Sequence, residues 1–485
     1  SQIHVNGNAV ARFASANKEN MKHFDAQIST RRWSMITSIS HWDYDHLKQG
    51  RNGPDDYLKP FHVIRLDNKD QVKRQDNPLL QIPTAYSQVN LMQKFAFNPN
   101  EKWQFSYGLH YSETSPYGRY DRHNRMKDGF PRYGDWRYGP QKWMMNMAEV
   151  AYSGKHQLFD KWNFRIALQN FEESRIDRSW NAVEENNQVE KVDAYSVNFD
   201  FMKKASEQIE ITYGLEYIIN QVHSSGEIYN VLDNTSEISV PRYPRGNWQT
   251  MAAYLNTGWA INEKINLQAG VRVSQNQIES KFDTSLFSLP FSNASLSNQA
   301  ITGSLGFVYR PSSQWSISSH LSTAFRAPNV DDMGKVFDSE PGAVTVPNEN
   351  LTSEYAYNAD LSVVKLIGKK LKIDATIFYT YLDKALVRRD FQLLGKDSLL
   401  YQGEMSKIQA IQNASFATIY GFQLGMEWKM SEGLSLSSDV NFQEGKEELD
   451  NGEQSWSRHA APVFGNVRFH YKLKKMRFQL YYLFQ

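Results

Sequence analysis

The chain has 485 residues, with 54 Lys and Arg against 53 Asp and Glu for a net charge of +1, and it contains no cysteine. That balance argues against nucleic-acid binding and against a disordered polyelectrolyte, and the missing thiols exclude disulfides, thiolate zinc sites, iron–sulfur clusters and a cysteine nucleophile. Mean hydropathy is −0.61, and no run of about 18 apolar residues is present, so no helix of this chain spans hydrocarbon; a barrel, whose strands need only every second residue apolar, stays open.

The 12 Trp, 26 Tyr and 27 Phe recur with period two in chain order. Trp103, Phe105, Tyr107, Leu109 and Tyr111 alternate with Gln104, Ser106, Gly108, His110 and Ser112, which gives one strand an aromatic face and a hydrophilic one. The pattern returns from Trp162 to Leu168, from Tyr195 to Phe201, from Ile209 to Tyr217 and from Ile265 to Val273. It continues from Trp315 to Phe325, from Leu371 to Tyr381, from Tyr420 to Trp428 and from Val467 to Leu473. Runs of about 9–12 residues exceed ordinary soluble strands and fit tilted membrane strands.

Connections alternate between short and long. Short turns fall at 98–101, 205–208, 262–264, 311–314, 368–370 and 431–433, and long polar stretches at 43–81, 113–141, 172–193, 220–247, 275–298, 327–353, 383–414 and 444–461. This asymmetry marks an outer-membrane barrel with periplasmic turns and extracellular loops. The fold expected is therefore all-β, a transmembrane antiparallel β-barrel with about nineteen strands; a single-chain bacterial barrel has an even number and must close, so about three strands are expected to be missing at the C-terminus. A soluble propeller is disfavoured because no repeat of about 40–50 residues is present. The sequence opens at Ser1 without an export leader and stops just after Phe484 inside an alternating run, so a fragment cut at both ends is expected.

Several segments resemble TonB-dependent outer-membrane receptors of the ferric-siderophore, haem and colicin type common in Bacteroidetes. They include Phe24-Asp25-Ala26, Ser38-Ile39-Ser40, Tyr86-Ser87-Gln88, Arg119-Tyr120-Asp121, Trp136 to Gln141, Glu172 to Arg175 with Asp177-Arg178, and Tyr213-Gly214-Leu215-Glu216. Phe325-Arg326-Ala327-Pro328-Asn329 resembles the family's Phe-Arg-Ala-Pro box, and Asn348-Glu349-Asn350-Leu351 its Asn-Pro-Asn-Leu box, with Glu349 in place of proline. Residues 413–428 and His459-Ala460-Ala461-Pro462 resemble its later strands. The resemblance implies a 22-stranded barrel with an N-terminal plug, TonB as energy-coupling partner, outer-membrane lipid and lipopolysaccharide around it, and an iron chelate or similar ligand. Residues 1–485 are then one barrel domain, incomplete at the C-terminus and without plug or TonB box; the alternatives are a plugless diffusion pore or a receptor for haem, cobalamin or another ligand.

From Ser115 to Trp143 the chain carries Arg119, Arg122, Arg125, Lys127, Arg132, Arg137 and Lys142 against Asp121, Asp128 and Asp135, interleaved with aromatic residues. Arginine forks pair with anionic oxygens and aromatic faces stack on flat groups, so Arg119, Tyr120, Arg122, Arg125, Trp136, Arg137 and Tyr138 are candidate contacts for an anionic chelate. The bland alternative is that they fasten loops together. On the strand from Trp315 the apolar set faces outward, which leaves His320 and Arg326 facing the lumen, toward a plug or in a rim salt bridge. Haem receptors of the family that the chain resembles carry a histidine between the two boxes; none lies between Pro328 and Asn348 here, so the resemblance implies a siderophore-like ligand over haem. His41, Asp43, Asp45 and His46 are chemically able to hold a divalent cation but fit no established metal spacing. Asp450-Asn451-Gly452-Glu453 is expected to be a turn rather than a calcium loop. Serine-hydrolase, zinc-protease and phosphate-loop motifs are absent, no cofactor is indicated, and no enzyme activity is expected.

Overall fold

A computed structural model describes residues 2–485 except 124, 284, 287–291, 335, 336, 341, 402, 403, 449–451, 457–460 and 462. The expected turn at Asp450-Asn451 and the stretch containing His459, Ala460 and Pro462 therefore fall outside the described residues.

Nineteen long strands form one antiparallel meander among the described residues. They are β1 His4–Ala14, β2 Glu19–Ser29, β3 Trp33–Tyr44, β4 Tyr86–Phe97, β5 Trp103–Thr114 and β6 Lys142–Ser153. Next come β7 Lys161–Ser179, β8 Glu184–Lys204, β9 Ile209–Asn230, β10 Arg245–Ala260, β11 Ile265–Lys281, β12 Asn293–Tyr309 and β13 Trp315–Arg326. The last six are β14 Glu354–Ile367, β15 Leu371–Asp390, β16 Glu404–Lys429, β17 Leu434–Glu448, β18 Phe464–Leu473 and β19 Met476–Phe484. Each pairs with its sequence neighbours; among the described residues β1 pairs only with β2, and β19 only with β18. These two edges lack the pairing that a sheet in lipid requires, and nearly every residue on them is exposed.

The long connections needed correction. Most of 172–193, 220–247 and 275–298 and part of 383–414 is strand, because β7 to β12, β15 and β16 run on past the membrane: β8 has 21 residues, β9 has 22 and β16 has 26. The alternation continues there with its polarity reversed. On β11 the outward set Leu267, Ala269, Val271 and Val273 gives way to Gln275, Gln277 and Glu279, while the inward set Gln268, Arg272 and Ser274 gives way to the buried Ile278. On β12 the outward change comes between Ile301 and Gln299, and the register pairs Val273 with Ile301 and Gln275 with Gln299. Two strands thus reverse at one level, which marks the outer edge of the hydrocarbon. Below it, β11 keeps an apolar outward face for about nine residues, the span a tilted membrane strand needs. Trp33 and Phe97 stack at 3.9 Å and Trp103 meets Trp162 edge-on at 5.6 Å near the short turns, as in an interfacial aromatic girdle.

Two solvents act on one strand, so substitutions should divide at that level. Leu305→Arg, in the apolar band, should lower unfolding free energy from lipid vesicles by about 2–4 kcal/mol, and Gln277→Arg, beyond it, by about 0–1 kcal/mol. Equal losses in urea titrations of the two variants would remove the boundary.

Candidate functional site

The inward face carries ordered polar pairs. Tyr254 donates to Asp200 at 2.6 Å, Asn198 donates to Glu216 at 3.0 Å, Arg272 pairs with Glu216, and Arg165 pairs with Glu149 at 2.9 Å. Ser40, His23 and Asp25 form a relay, with His23 Nδ1 at 2.7 Å from Ser40 Oγ and Nε2 at 3.1 Å from Asp25. Ser40 sits mid-strand in ladders with both β2 and β4, so neighbouring backbone N–H groups are committed to the sheet and offer no oxyanion hole. This relay belongs to the polar wall.

Above the membrane the loops between β3 and β4 and between β5 and β6 pack on the tops of β7 and β8. The first holds a hairpin, Phe61–Leu66 with Lys69–Arg74, and its Asp70 reaches Arg178 of β7 through two hydrogen bonds of 2.7 and 2.8 Å. Both side chains are buried, and Asn181 N–H adds a 2.6 Å bond to Asp70. A Cβ at Gly134 would strike this pair, so the second loop needs glycine to pass over it.

The second loop contains a short helix, Tyr120–His123, and a strand, Tyr133–Tyr138, that continues the wall by pairing with β7. Arg119 is bidentate to Asp121 at 2.9 and 2.7 Å and lies 5.0 Å above the Trp136 ring; its other nitrogen donates to the Tyr138 hydroxyl at 3.2 Å. Arg122 lies 5.7 Å from the same Trp136 ring. Arg137 is bidentate to Glu185 of β8 at 3.1 and 3.0 Å and also pairs with Asp135. Four of the seven candidates, Arg119, Arg122, Trp136 and Tyr138, thus form one layer around the buried Trp136, whose ring meets Tyr138 edge-on at 5.1 Å, while Arg137 acts as a fastener between loop and wall. Tyr120 is half-buried in the helix, and Arg125 is exposed beyond it.

Close to this layer lie groups that no spacing or composition reveals. Lys59 is fully buried, and its Nζ has no hydrogen-bond partner among the described residues. Burial lowers its pKa to about 8, partly opposed by Asp121. His123 is buried and donates from Nε2 to Trp136 O at 3.0 Å; burial, then the charge of Lys59, lowers its pKa to about 4. Only the fold brings residue 59 close to residue 123.

The other site residues lie across the barrel. Arg326 grips Glu354 at 2.9 Å and both oxygens of Asp332 at 2.7 Å, tying the box to the start of β14 and to the helix Val330–Gly334. It is thus a rim clamp within the described wall. Pro328 and Leu351 are buried, Leu351 in a core with Ile278, Leu296, Met333, Val344, Val346 and Ile408. Asn348 donates to Ile411 O at 2.8 Å and accepts from Asn350 N–H at 3.0 Å. Phe325 is 6.4 Å from Tyr355 on the adjacent strand, and Ala327 joins Arg326 to Pro328. The two boxes therefore fold the 327–353 loop against the wall. His320 faces inward, half-exposed, 3.6 Å from Asp360.

The fold sends His41, Asp43, Asp45 and His46 to separate partners. His46 Nδ1 accepts from the N–H groups of Thr84 and Ala85 at 3.1 Å, and Asp45 pairs with Lys18 at 2.8 Å, which leaves only His41 and Asp43 adjacent, at 3.5 Å. Among the described residues no group of three or more potential ligands converges.

A model of the TonB dependent receptor-like β-barrel family matches residues 37–482. The chain belongs to this family. It is 22% identical over 215 residues to the pesticin receptor of Yersinia pestis, covering 44% of this chain and 28% of that protein. It is 25% identical over 226 residues to the hemoglobin-haptoglobin utilization protein B of Neisseria meningitidis, covering 42% of this chain and 27% of that protein. The chain thus spans less than a third of the length of these curated relatives. Among solved structures, the copper transporter OprC superposes with a TM-score of 0.73 at 12% identity, over 99% of this chain and 69% of that one. The ferric yersiniabactin uptake receptor FyuA from Yersinia pestis gives 0.65 at 13%, over 98% and 67%. Family membership and the membrane band together make this TonB-dependent receptor barrel a multi-pass protein of a Gram-negative outer membrane, and its relatives are receptors and transporters rather than enzymes.

Two outcomes follow for the loop cluster. Removing one partner of a buried ion pair costs about 3–5 kcal/mol, so Arg178→Ala should free the 45–85 loop, read as faster proteolysis there with the barrel's heat-modifiable migration kept. Because folding depresses the pKa of His123, its contribution is complete above the unfolded value near 6.5 and is lost as pH falls toward about 4. Amide exchange of residues 117–138, corrected for intrinsic rates, should accelerate between pH 6.5 and 4.5, and His123→Gln should flatten that dependence.

Proposed function

We propose that the barrel is the wall of an energised importer that captures a scarce nutrient, a ferric siderophore or related iron complex, in its extracellular loops and passes it to the periplasm with TonB-coupled energy. The observation that carries this reading is the layer of Arg119, Arg122, Trp136 and Tyr138 held over the rim by paired loops. Guanidinium groups stacked on rings suit an anionic, partly aromatic chelate, and the internal pairing of Arg119 holds the layer in place before a ligand arrives. Arg125, exposed at the edge of the layer, is the contact most open to solvent, and Tyr120 lies next to Arg119 at the start of the helix. Names among the relatives that refer to haemoglobin–haptoglobin use and ferric yersiniabactin uptake support an iron-related cargo. In the complete protein we assign a plug to the lumen, with His320 facing it, and further strands to the unpaired edges of β1 and β19.

The test is radiolabelled uptake by cells producing the full-length protein, against a panel of ferric chelates. Arg122→Ala with Arg125→Ala should weaken uptake of one chelate about tenfold or more in apparent affinity, with surface abundance unchanged. Uptake of no chelate, or uptake indifferent to both the variant and to loss of TonB, would sink the reading.

A further inference from the structure

The connections that leave the even-numbered strands, from β2–β3 to β18–β19, are nine short turns on the periplasmic side. Counted with the strand residue on either side of each, they carry thirteen Lys and Arg against five Asp and Glu, a net +8 in a chain whose total is +1. Every one of the nine holds at least one cation. All thirteen cations are exposed, and only Lys204 has a carboxylate partner among the described residues, Glu207 at 2.9 Å. A second acid, Asp160, is held by Lys203 at 3.1 Å, so the acids do little to balance the ring.

Tryptophan fixes the level of these charges. Trp33, Trp103, Trp162 and Trp428 belong to outward faces at strand ends, and each has a cation beside it in the chain: Arg32, Lys102, Lys161 and Lys429. Indole rings settle where hydrocarbon meets headgroups, and one residue further along a strand is about 3.4 Å. The cations therefore stand at the depth of the phosphate groups, within reach of their flexible stems. At one place they converge. Asn98 N–H donates to Arg32 O at 2.8 Å, which ties two turns together, and Arg31, Arg32 and Lys102 border one polar depression with Asn98 and Asn100.

We propose that this ring is a binding site for anionic phospholipid headgroups of the periplasmic leaflet, which it gathers around the barrel in preference to zwitterionic ones. Every barrel touches lipid tails, which have no charge to read; a ring of one sign distinguishes headgroups. Lipids with a net negative charge are drawn to clustered Lys and Arg within a screening length of the surface, and zwitterionic lipids are not. The spread of cations over all nine turns suits a planar leaflet, whereas a protein partner would need them gathered on one arc.

The full-length protein would be reconstituted in phosphatidylcholine bilayers with traces of spin-labelled phosphatidylglycerol or spin-labelled phosphatidylcholine, and the motionally restricted fraction of each read by electron spin resonance. Phosphatidylglycerol should associate about threefold more strongly than phosphatidylcholine, a preference that about 1 M salt should erase. A variant combining Arg31→Gln, Arg32→Gln, Lys102→Gln, Arg310→Gln, Lys369→Gln and Lys370→Gln should lose about half of it or more. Arg245→Gln with Lys281→Gln, at the extracellular ends of β10 and β11, should keep it, and heat-modifiable migration would verify folding of both variants. Equal restriction of the two lipids by the parent, a preference that survives in the six-site variant or in high salt, or one lost equally in the extracellular pair would overturn the proposal. So would displacement of the labelled lipid by inorganic phosphate at low ionic strength, which would mark a site for a soluble anion, or retention of an acidic periplasmic protein in place of any lipid preference. Chelate uptake is not read, so failure of the import reading leaves the outcome unchanged.

Discussion

Hydrocarbon offers a backbone N–H nothing to bond to, and every larger feature of this molecule answers that fact. The meander supplies a partner strand to almost every membrane residue, which fixes the register, and the register fixes which side chains meet lipid and which meet the lumen. The wall could not be built from short strands, because the ladder must continue unbroken through the whole apolar band. Where it does break, at Gly303, a threonine hydroxyl takes over within one residue.

A second solvent begins at Gln275 and Gln299. There the same strands leave lipid and enter water on their outer face, while the loop from Pro328 to Ser353 covers their inner face, so hydrophobic side chains such as Ile278 and Leu296 move to the inside. This explains both the unexpected strand lengths and the buried core above the membrane. The Phe-Arg-Ala-Pro box participates through Arg326, which joins wall, helix and the start of β14 in one charge cluster.

The strands were legible because period-two alternation is dictated locally: Trp103 to Tyr111 announces its two faces without reference to any other residue. The strand number and the short turns were readable for the same reason. The polar reaches above the membrane were not, since a strand with water outside and a loop inside loses the signature that lipid imposes, and 275–298 looked like a long loop. The candidate layer was half legible. Arg119 and Trp136 stood out by composition, but the contacts that fasten the loops around them are encoded by no spacing: Glu185 for Arg137, Lys59 near His123, and Asp70 for Arg178. In the His41 to His46 group, spacing said nothing of the partners, because neighbours in sequence reach different loops: His46 the 84–85 backbone and Asp45 Lys18.

The tie between Asp70 and Arg178 also has a meaning in time. Its two ends are 108 residues apart, with β4, β5 and β6 between them. Whatever the order of pairing, the first loop has no seat and its carboxylate no counterion until β7 stands in the wall. Contacts of such sequence separation are met by loop-closure entropy before they give anything back, so the mouth of the protein orders only on a scaffold that is already paired beneath it.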